Sequence, residues 1–239
     1  MRICIYADNS CNYVRTLLSI WKNGDCAVLI DPRIPLKSAI EQMMLCNVVK
    51  CYTDYNFDEI SDLYSNDFAI QFITIEKEEM KFFDNKLEYP LFSKENLDRE
   101  ALILFSSGTT GKSKGVIHSY YNIQKNAEMI IEYMRPLADD RIFIVKSLAH
   151  SSTVVGELLV ALKTNTSFML GKTTQHMGSL WKSIISNKIT ILCLNPTLLH
   201  MLCQYLLHIV PDISSCNVKK IYTSGAVLNK EDVEQIKLI

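Results

Sequence analysis

The sequence has little imbalance of charge and few glycines or prolines. Its 25 Lys and Arg face 26 Asp and Glu, so the 239-residue chain has a formal net charge of -1. That charge gives no electrostatic basis for binding nucleic acid or an anionic membrane. Eight Gly and six Pro are too few for a low-complexity or fibrous chain. A hydrophobic content of 48% is enough to bury one large core or two small ones.

Signals for export or membrane insertion are also missing. The start, "MRICIYADNSCNYVRTLL", has one early Arg and a short apolar run before Asp8, unlike a secretory signal. The most apolar later stretch, residues 189–210, contains Asn195 and Pro196, and it carries His200 and His208, which are costly in the centre of a bilayer. We therefore predict a cytoplasmic protein without a membrane span.

The cysteines do not form a recognisable pairing motif. There are eight, in apolar segments and without a Cys-x-x-Cys spacing. This pattern favours buried free thiols over disulfides or a zinc site, and we assign no metal ligand.

Apolar runs rich in Ile, Val and Phe alternate with segments of helical period. This alternation predicts an α/β fold of doubly wound β-α units with a largely parallel sheet. The predicted strands are "RICIYA", "CAVLID", "VVKCYT", "FAIQFITI", "EALILF", "GVIH" and "RIFIVK". Helices are predicted over "NYVRTLLSIWK", over residues 36–45 and over residues 121–134, with Gly24 ending the first.

Residues 76–98 are dense in charge and poor in periodicity. They are either a solvated connection between two sub-structures or a long surface loop. We predict two β-α sub-structures, one over residues 1–98 and a second over residues 99–239.

The stretch "LILFSSGTTGKSKGV", residues 102–116, offers many small donors at close range. Backbone N–H groups, short hydroxyls and a lysine ammonium suit a polyphosphate. A Walker A loop fits poorly, because Ser106 stands where its first Gly is needed. A Walker loop also opens into a helix, whereas "GVIH" predicts a strand.

Residues 105–116 resemble the phosphate loop of the adenylate-forming superfamily of acyl-CoA synthetases, nonribosomal-peptide adenylation domains and luciferases. That loop reads hydrophobic-Thr-Ser-Gly-Thr-Thr-Gly-x-Pro-Lys-Gly-Val, and this chain departs from it at Ser106 and Ser113. Four other segments resemble the family in order and spacing: "NGDCAVLIDPRIP", "SLAHSSTVVGELLVAL", "LNPTLLHML" and "YTSGAVL".

The resemblance implies the large N-terminal domain of such an enzyme, in truncated form. It implies ATP, with Mg²⁺, as the cofactor of a reaction that joins a carboxylate to AMP. The acyl group then usually passes to the thiol of CoA or of a carrier protein. The implied phosphate site comprises Ser106, Ser107, Gly108, Thr109, Thr110, Gly111 and Lys114, and Gly225, Ala226 and Val227 would border the adenine.

Lys114 and His150 are the implied catalytic residues. His150 stands where acyl-CoA synthetases carry a His and amino-acid-activating domains carry an Asp for the substrate ammonium. The resemblance therefore implies a plain carboxylic acid as the substrate. The alternative is a structural His at a strand end.

The family's later motifs have no counterpart in the sequence: a Glu that supports Mg²⁺, an Asp for the ribose and a C-terminal Lys. We therefore expect an incomplete acyl-adenylating ligase that is inactive alone. The alternatives are a non-catalytic nucleotide- or acyl-binding module and one half of a split enzyme that a second chain completes.

Overall fold

The structure is a computed structural model of the chain. It describes residues 1–55, 70–76, 82–83, 87, 92, 96–106, 113–173, 176–209 and 213–237. Most of the charged segment 76–98 and the centre of the predicted phosphate loop, residues 107–112, lie outside the described residues.

One sheet has six strands in the order β4-β3-β1-β2-β6-β7. These are β1 (Arg2–Tyr6), β2 (Cys26–Leu29), β3 (Lys50–Thr53), β4 (Gln71–Thr74), β6 (Glu100–Ser106) and β7 (Lys114–Ser119). All neighbours are parallel except β6 and β7, which form an antiparallel pair with Ser106 opposite Lys114. The ends of the predicted phosphate loop are therefore held side by side.

The other sheet has five strands in the order β11-β10-β8-β9-β5. These are β5 (Phe82–Phe83), β8 (Arg141–Ile144), β9 (Ser167–Leu170), β10 (Ile191–Leu194) and β11 (Lys220–Thr223). Its strands are parallel except for the β5–β9 pair. Strand β10 is buried throughout, as expected for a parallel strand covered on both faces.

The helices cover both faces of each sheet. They are α1 (Cys11–Lys22), α2 (Leu36–Leu45), α3 (Tyr120–Met134), α4 (Ser151–Thr153), a π-helical turn (Val154–Leu158), α5 (Leu159–Lys163), α6 (Met177–Ser186), α7 (Pro196–Ile209) and α8 (Lys230–Ile236). One core between the sheets contains α1, α3, the π-helical turn and α5. A second core joins α2 to the outer face of the six-stranded sheet, and a third joins α6 and α7 to the outer face of the other sheet.

Local signals place the helix ends. The Ser10 hydroxyl accepts a hydrogen bond from the N–H of Tyr13 at the start of α1, and Ser119 does the same for Asn122 in α3. Gly24 adopts a positive φ of 71° just after α1, so the predicted stop is confirmed. These caps satisfy backbone groups that a helix end would otherwise leave unpaired.

The predicted α/β class with largely parallel strands is confirmed. The predicted boundary between residues 98 and 99 does not coincide with the division between the sheets. Strands β6 and β7 follow that boundary but complete the first sheet, whereas β5 precedes it and joins the second. Strand pairing joins segments that are distant in the sequence, such as β2 and β6, and a break in composition along the chain does not encode it.

The predictions about the cysteines and about a membrane span can be compared with the structure. All eight cysteines are free thiols, and seven are buried. None of the described helices is long and apolar enough to cross a membrane.

The side chain of Asn9 joins the two sheets. Its Nδ2 lies 2.8 Å from the carbonyl oxygen of Lys146 and 3.3 Å from that of Gly171. Its Oδ1 accepts a hydrogen bond of 3.0 Å from the N–H of Leu148. One amide from the end of β1 therefore satisfies three backbone groups beyond the ends of β8 and β9.

We predict that Asn9→Ala lowers the free energy of unfolding by about 1–3 kcal/mol, because it leaves partly buried backbone groups without a partner. Urea unfolding followed by circular dichroism measures the change. Asn12→Ala is the matched control, since the Asn12 amide bonds only at exposed positions. Equal stability of the two variants would contradict the bridging role of Asn9.

Candidate functional site

A cavity of about 900 Å³ lies where the carboxyl ends of the parallel strands of the two sheets meet. Ligands bind at this edge of open α/β sheets. Its lining residues follow the strand ends: Leu104, Phe105 and Ser106 of β6, Lys146 and Ser147 after β8, Thr173 after β9, Asn195 after β10 and Ser224, Gly225 and Ala226 after β11.

Four of the predicted site residues lie on this cavity: Ser106, His150, Gly225 and Ala226. Gly225 has φ of 99°, a conformation that a side chain would strain, so the turn after β11 depends on glycine there. This turn carries the segment expected to border an adenine.

The other predicted residues stand elsewhere. Lys114 is exposed at the start of β7, opposite Ser106 in the β6–β7 pair, and does not line the cavity. Val227 is 94% exposed and also lies outside the lining. Five predicted phosphate-binding residues lie outside the described part of the chain: Ser107, Gly108, Thr109, Thr110 and Gly111.

Helix α2 holds the distal end of the predicted phosphate loop. The Nε2 of Gln42, which is buried, donates a hydrogen bond of 3.0 Å to the hydroxyl of Ser113. Gly115, two residues further along the chain, lies against a buried side chain of β6. A Cβ at this position would lie 3.3 Å from Cγ2 of Ile103. The chain therefore re-enters the sheet at a position with little room for a side chain.

Three side chains at the mouth of the cavity, Asp31, Arg33 and His150, form what we call the rim cluster. Arg33 binds Asp31 in bidentate fashion, with Nε 2.9 Å from Oδ1 and Nη2 2.6 Å from Oδ2. His150 Nε2 lies 3.0 Å from Nη2 of Arg33 and 3.1 Å from Oδ2 of Asp31. Asp31 and Arg33 follow β2, whereas His150 precedes α4, so the cluster spans both sheets.

The two contacts of His150 Nε2 are alternatives. A guanidinium only donates hydrogen bonds, so Arg33 can bond this nitrogen only when it carries no proton. A carboxylate only accepts, so Asp31 can bond it only when it is protonated. Whether Nε2 carries a proton, in a neutral tautomer or in the imidazolium, therefore decides which of these neighbours His150 bonds.

The rim cluster also fixes the charge of its carboxylate. Burial alone would raise the pKa of Asp31, but hydrogen bonds from Arg33 and His150 lower it well below its usual value. Asp31 in turn raises the pKa of Arg33. Both groups are charged at neutral pH.

Stacked tyrosines support the loop that carries the rim cluster. The rings of Tyr6 and Tyr55 lie 4.8 Å apart with an angle of 7° between their planes. The Tyr6 hydroxyl donates to the carbonyl oxygen of Ile34 at 2.7 Å, and that of Tyr55 donates to Pro32 at 3.1 Å. The loop is therefore held from both sides of Arg33.

A second charged pair lies beneath the cavity. The Nζ of Lys146 lies 2.7 Å from Oε1 of Glu157, and their side chains are only 9% and 2% exposed. We call Lys146 and Glu157 the buried pair. Glu157 belongs to the π-helical turn, and the residues of that turn are all buried. Burial raises the pKa of Glu157 to about 7, although Lys146 acts in the opposite direction.

Sequence reasoning did not single out Asp31, Arg33, Lys146 or Glu157 as site residues. Asp31 and Arg33 stand in "DPRIP", a segment noted only for its resemblance to the family. The general rule that ligands bind at the carboxyl ends of parallel strands could have identified Lys146, which follows β8.

Metal ligands are not brought together in the described part of the chain. No group of three or more His, Cys, Asp or Glu side chains is placed there to hold a metal ion.

Comparison with known proteins identifies the family. The profile of the AMP-binding enzyme family matches residues 1–238. The chain therefore belongs to this family, and the resemblance to adenylate-forming enzymes is confirmed.

Two curated relatives illustrate its range. A mitochondrial malonate–CoA ligase of Xenopus laevis is 25% identical over 167 residues, which make up 67% of this chain and 28% of the relative. Tyrocidine synthase 1 of Brevibacillus parabrevis is 30% identical over 114 residues, which make up 47% of this chain and 10% of the relative. The chain thus spans less than a third of either curated relative.

Solved structures share the fold. The inhibitor-bound N-terminal domain of FACL13 from Mycobacterium tuberculosis has a TM-score of 0.82 at 14% identity, over 99% of this chain and 60% of that one. An o-succinylbenzoate–CoA synthetase of Bacillus subtilis, in complex with AMP, has a TM-score of 0.75 at 18% identity, over 99% of this chain and 58% of that one. The α/β fold is therefore that of the N-terminal region of adenylate-forming enzymes.

The rim cluster predicts a pH-dependent contribution to stability. The pKa of Asp31 is lowered in the folded protein, so its ionised form stabilises the fold above about pH 4, the usual value for an unfolded Asp. This contribution is lost as the pH falls through the folded-state pKa.

Asp31→Asn should therefore destabilise the protein by on the order of 1 kcal/mol at pH 7, and the difference should shrink steadily below pH 4. Urea unfolding at a series of pH values measures it. Asp139→Asn is the control, because Asp139 is exposed and lies 3.7 Å from Lys219. A deficit in Asp31→Asn that did not change with pH would contradict the assignment.

Proposed function

We propose that this protein takes part in the ATP-dependent activation of a carboxylic acid. The carboxylate oxygen attacks the α-phosphorus of ATP, the bond to the β-phosphate oxygen breaks and pyrophosphate leaves, which gives an acyl-adenylate. The thiol sulfur of CoA or of a carrier protein then attacks the acyl carbon, the bond from that carbon to the phosphate oxygen breaks, AMP leaves and the thiol proton is released to water. The observation that carries this proposal is the convergence of Ser106, His150 and the Ser224–Ala226 turn on one cavity.

The cavity suits a nucleotide and an acid. Its volume of about 900 Å³ is near the upper end for small-molecule sites. Among the described lining residues, those with a full charge, Arg33 and Lys146, are both basic. A basic wall favours the phosphates of ATP and the carboxylate that attacks them.

We assign each group of predicted site residues to one part of the substrates. Ser106 and the loop Ser107–Gly111, with Lys114, hold the phosphates and stabilise the charge that develops on the leaving pyrophosphate. Gly225, Ala226 and Val227 border the adenine, and His150 faces the acid. Mg²⁺, when bound with ATP, supplies further neutralisation of phosphate charge.

The lining also favours a plain acid over an amino acid. An α-ammonium group needs a buried counter-ion, and none of the described lining residues is acidic. The nearby carboxylate of Asp31 is already bound by Arg33. This charge distribution agrees with His150 standing where amino-acid-activating domains carry an Asp.

The acceptor thiol, a second chain and a cytoplasmic location remain predictions from sequence. A chain that binds ATP without turnover until a partner is added would favour the split-enzyme alternative. A chain that binds ATP with no acid-dependent chemistry in any combination would favour a binding module.

We predict that Lys114→Ala weakens ATP binding by about 10- to 100-fold, the effect of losing a charge-assisted hydrogen bond of roughly 1.5–3 kcal/mol. Calorimetric titration with ATP measures it. Lys182→Ala is the control, because Lys182 is exposed on α6 at the outer face of the protein. Unchanged affinity in Lys114→Ala would refute the phosphate role of this residue.

We also predict acid-dependent ATP–pyrophosphate exchange with simple carboxylic acids and little exchange with standard α-amino acids. The reason is the missing counter-ion for an ammonium group. The screen uses the purified protein, with and without a chain that supplies the remaining family motifs. Strong exchange with an α-amino acid, and none with simple acids, would reverse the predicted substrate class.

A further inference from the structure

Glu157 has no role in the proposed chemistry, and Lys146 enters it as part of the basic wall of the cavity. Lys146 follows β8 and lines the cavity, and its ammonium reaches Glu157 in the π-helical turn on the other side. Glu157 itself is not among the lining residues. Of the two residues, Lys146 borders the ligand space and Glu157 lies in the protein interior, so a ligand in the cavity can approach the pair from the side of Lys146.

The helix is distorted where it carries Glu157. The turn Val154–Leu158 is π-helical between α4 and α5, and such turns are frequent at functional sites. Gly156 in this turn packs against α3, since a Cβ there would lie 3.5 Å from Cδ1 of Ile130. The wide turn is held between α3 and the second sheet, with its carboxylate buried beside Lys146.

The buried pair is not an efficient way to stabilise the core. Two charges lose their hydration when they are buried, and an apolar pair of similar size is often as stable. Neither carboxylate oxygen of Glu157 has a hydrogen-bond partner of good geometry among the described residues, so its contact with Lys146 is an ion pair, and burial raises the pKa of this carboxyl to about 7. A partly satisfied buried pair calls for a function beyond packing.

The charge of a ligand group that would bind at this position follows from Lys146. An ammonium has three donors, and among the described residues the Lys146 ammonium pairs with one carboxylate, that of Glu157. The remaining donors suit an anionic group in the cavity, where Arg33 is the other fully charged residue of the described lining. Glu157 would hold the ammonium in place while it binds.

We propose that Lys146 determines specificity by binding a second carboxylate on the acid substrate, so that the protein prefers dicarboxylic acids. This inference rests on the proposed acid activation. One carboxylate meets the α-phosphate, and the second forms a charge-assisted hydrogen bond with the Lys146 ammonium. Glu157 is a positioning residue, because it acts through Lys146.

The test compares dicarboxylic acids with monocarboxylic acids of equal carbon number, from malonate with propionate to adipate with hexanoate. Binding of each acid to the purified protein in the presence of ATP is measured by calorimetry, and pyrophosphate exchange is measured beside it. For at least one chain length, the dicarboxylic acid should bind on the order of tenfold more tightly or better.

Lys146→Met keeps the length of the side chain and removes its charge, so it should abolish this preference, measured as the ratio of the affinities for the two acids of each pair at saturating ATP. If that variant does not fold, Lys146→Met with Glu157→Gln removes both charges from the core and serves in its place. Lys163→Met is the matched control, since Lys163 pairs with Glu128 outside the cavity. It should retain the wild-type preference.

Equal affinity of the wild-type protein for both members of every pair, or binding of neither, would overturn the role of Lys146. A preference that survives in Lys146→Met would also overturn it. ATP binding and exchange with monocarboxylic acids alone would leave the proposed function standing without this inference. Loss of both ATP binding and exchange in every combination would overturn the two together.

Discussion

The contact of the Asn9 amide with the second sheet is the constraint on which the site depends. Its three hydrogen bonds fix the backbone from Lys146 to Leu148 and the end of β9 against the end of β1. His150 comes two residues later and meets Asp31 and Arg33 from the first sheet. The cavity, the rim cluster and the position of Lys146 all follow from this junction, because each needs the carboxyl edges of both sheets at a fixed separation.

Much of the fold could be predicted because local chemistry determines it. Strands such as β2 and β10 are buried along their whole length and read as continuous apolar runs, and Ser10 and Gly24 place the ends of α1 through capping and a positive φ. Local chemistry does not determine which strands become neighbours in a sheet. Strand β2 pairs with β6, with Ala27 opposite Leu102, although some 70 residues separate the two strands. Apolar patterning determines which face is buried but not which strand lies beside it, so it does not predict the exchange of strands between the two sheets.

The residues of the candidate site also fall into those that the sequence predicted and those that it could not. Ser106, His150, Gly225 and Ala226 were predicted from a family pattern and lie on the cavity. Glu157 could not be predicted, because it stands alone in the apolar run "STVVGELLVAL", and a helix of regular period gives no reason to turn it toward Lys146. The π-helical turn and the partner after β8 are needed together before the residue acquires a chemical meaning.

The rim cluster and the buried pair differ in how strongly their charges can act on a ligand. Arg33 and His150 are about half exposed, and in the rim cluster each already has a partner, so hydration and competing contacts weaken their effect on a bound group. The buried pair lies in a poorly hydrated region, where a charge acts through a lower effective dielectric. A carboxylate bound at Lys146 would therefore gain more than one bound at the mouth. On the proposed acid activation, the lower dielectric assigns discrimination between acids to the buried pair, and the rim cluster is suited to orienting the reacting carboxylate.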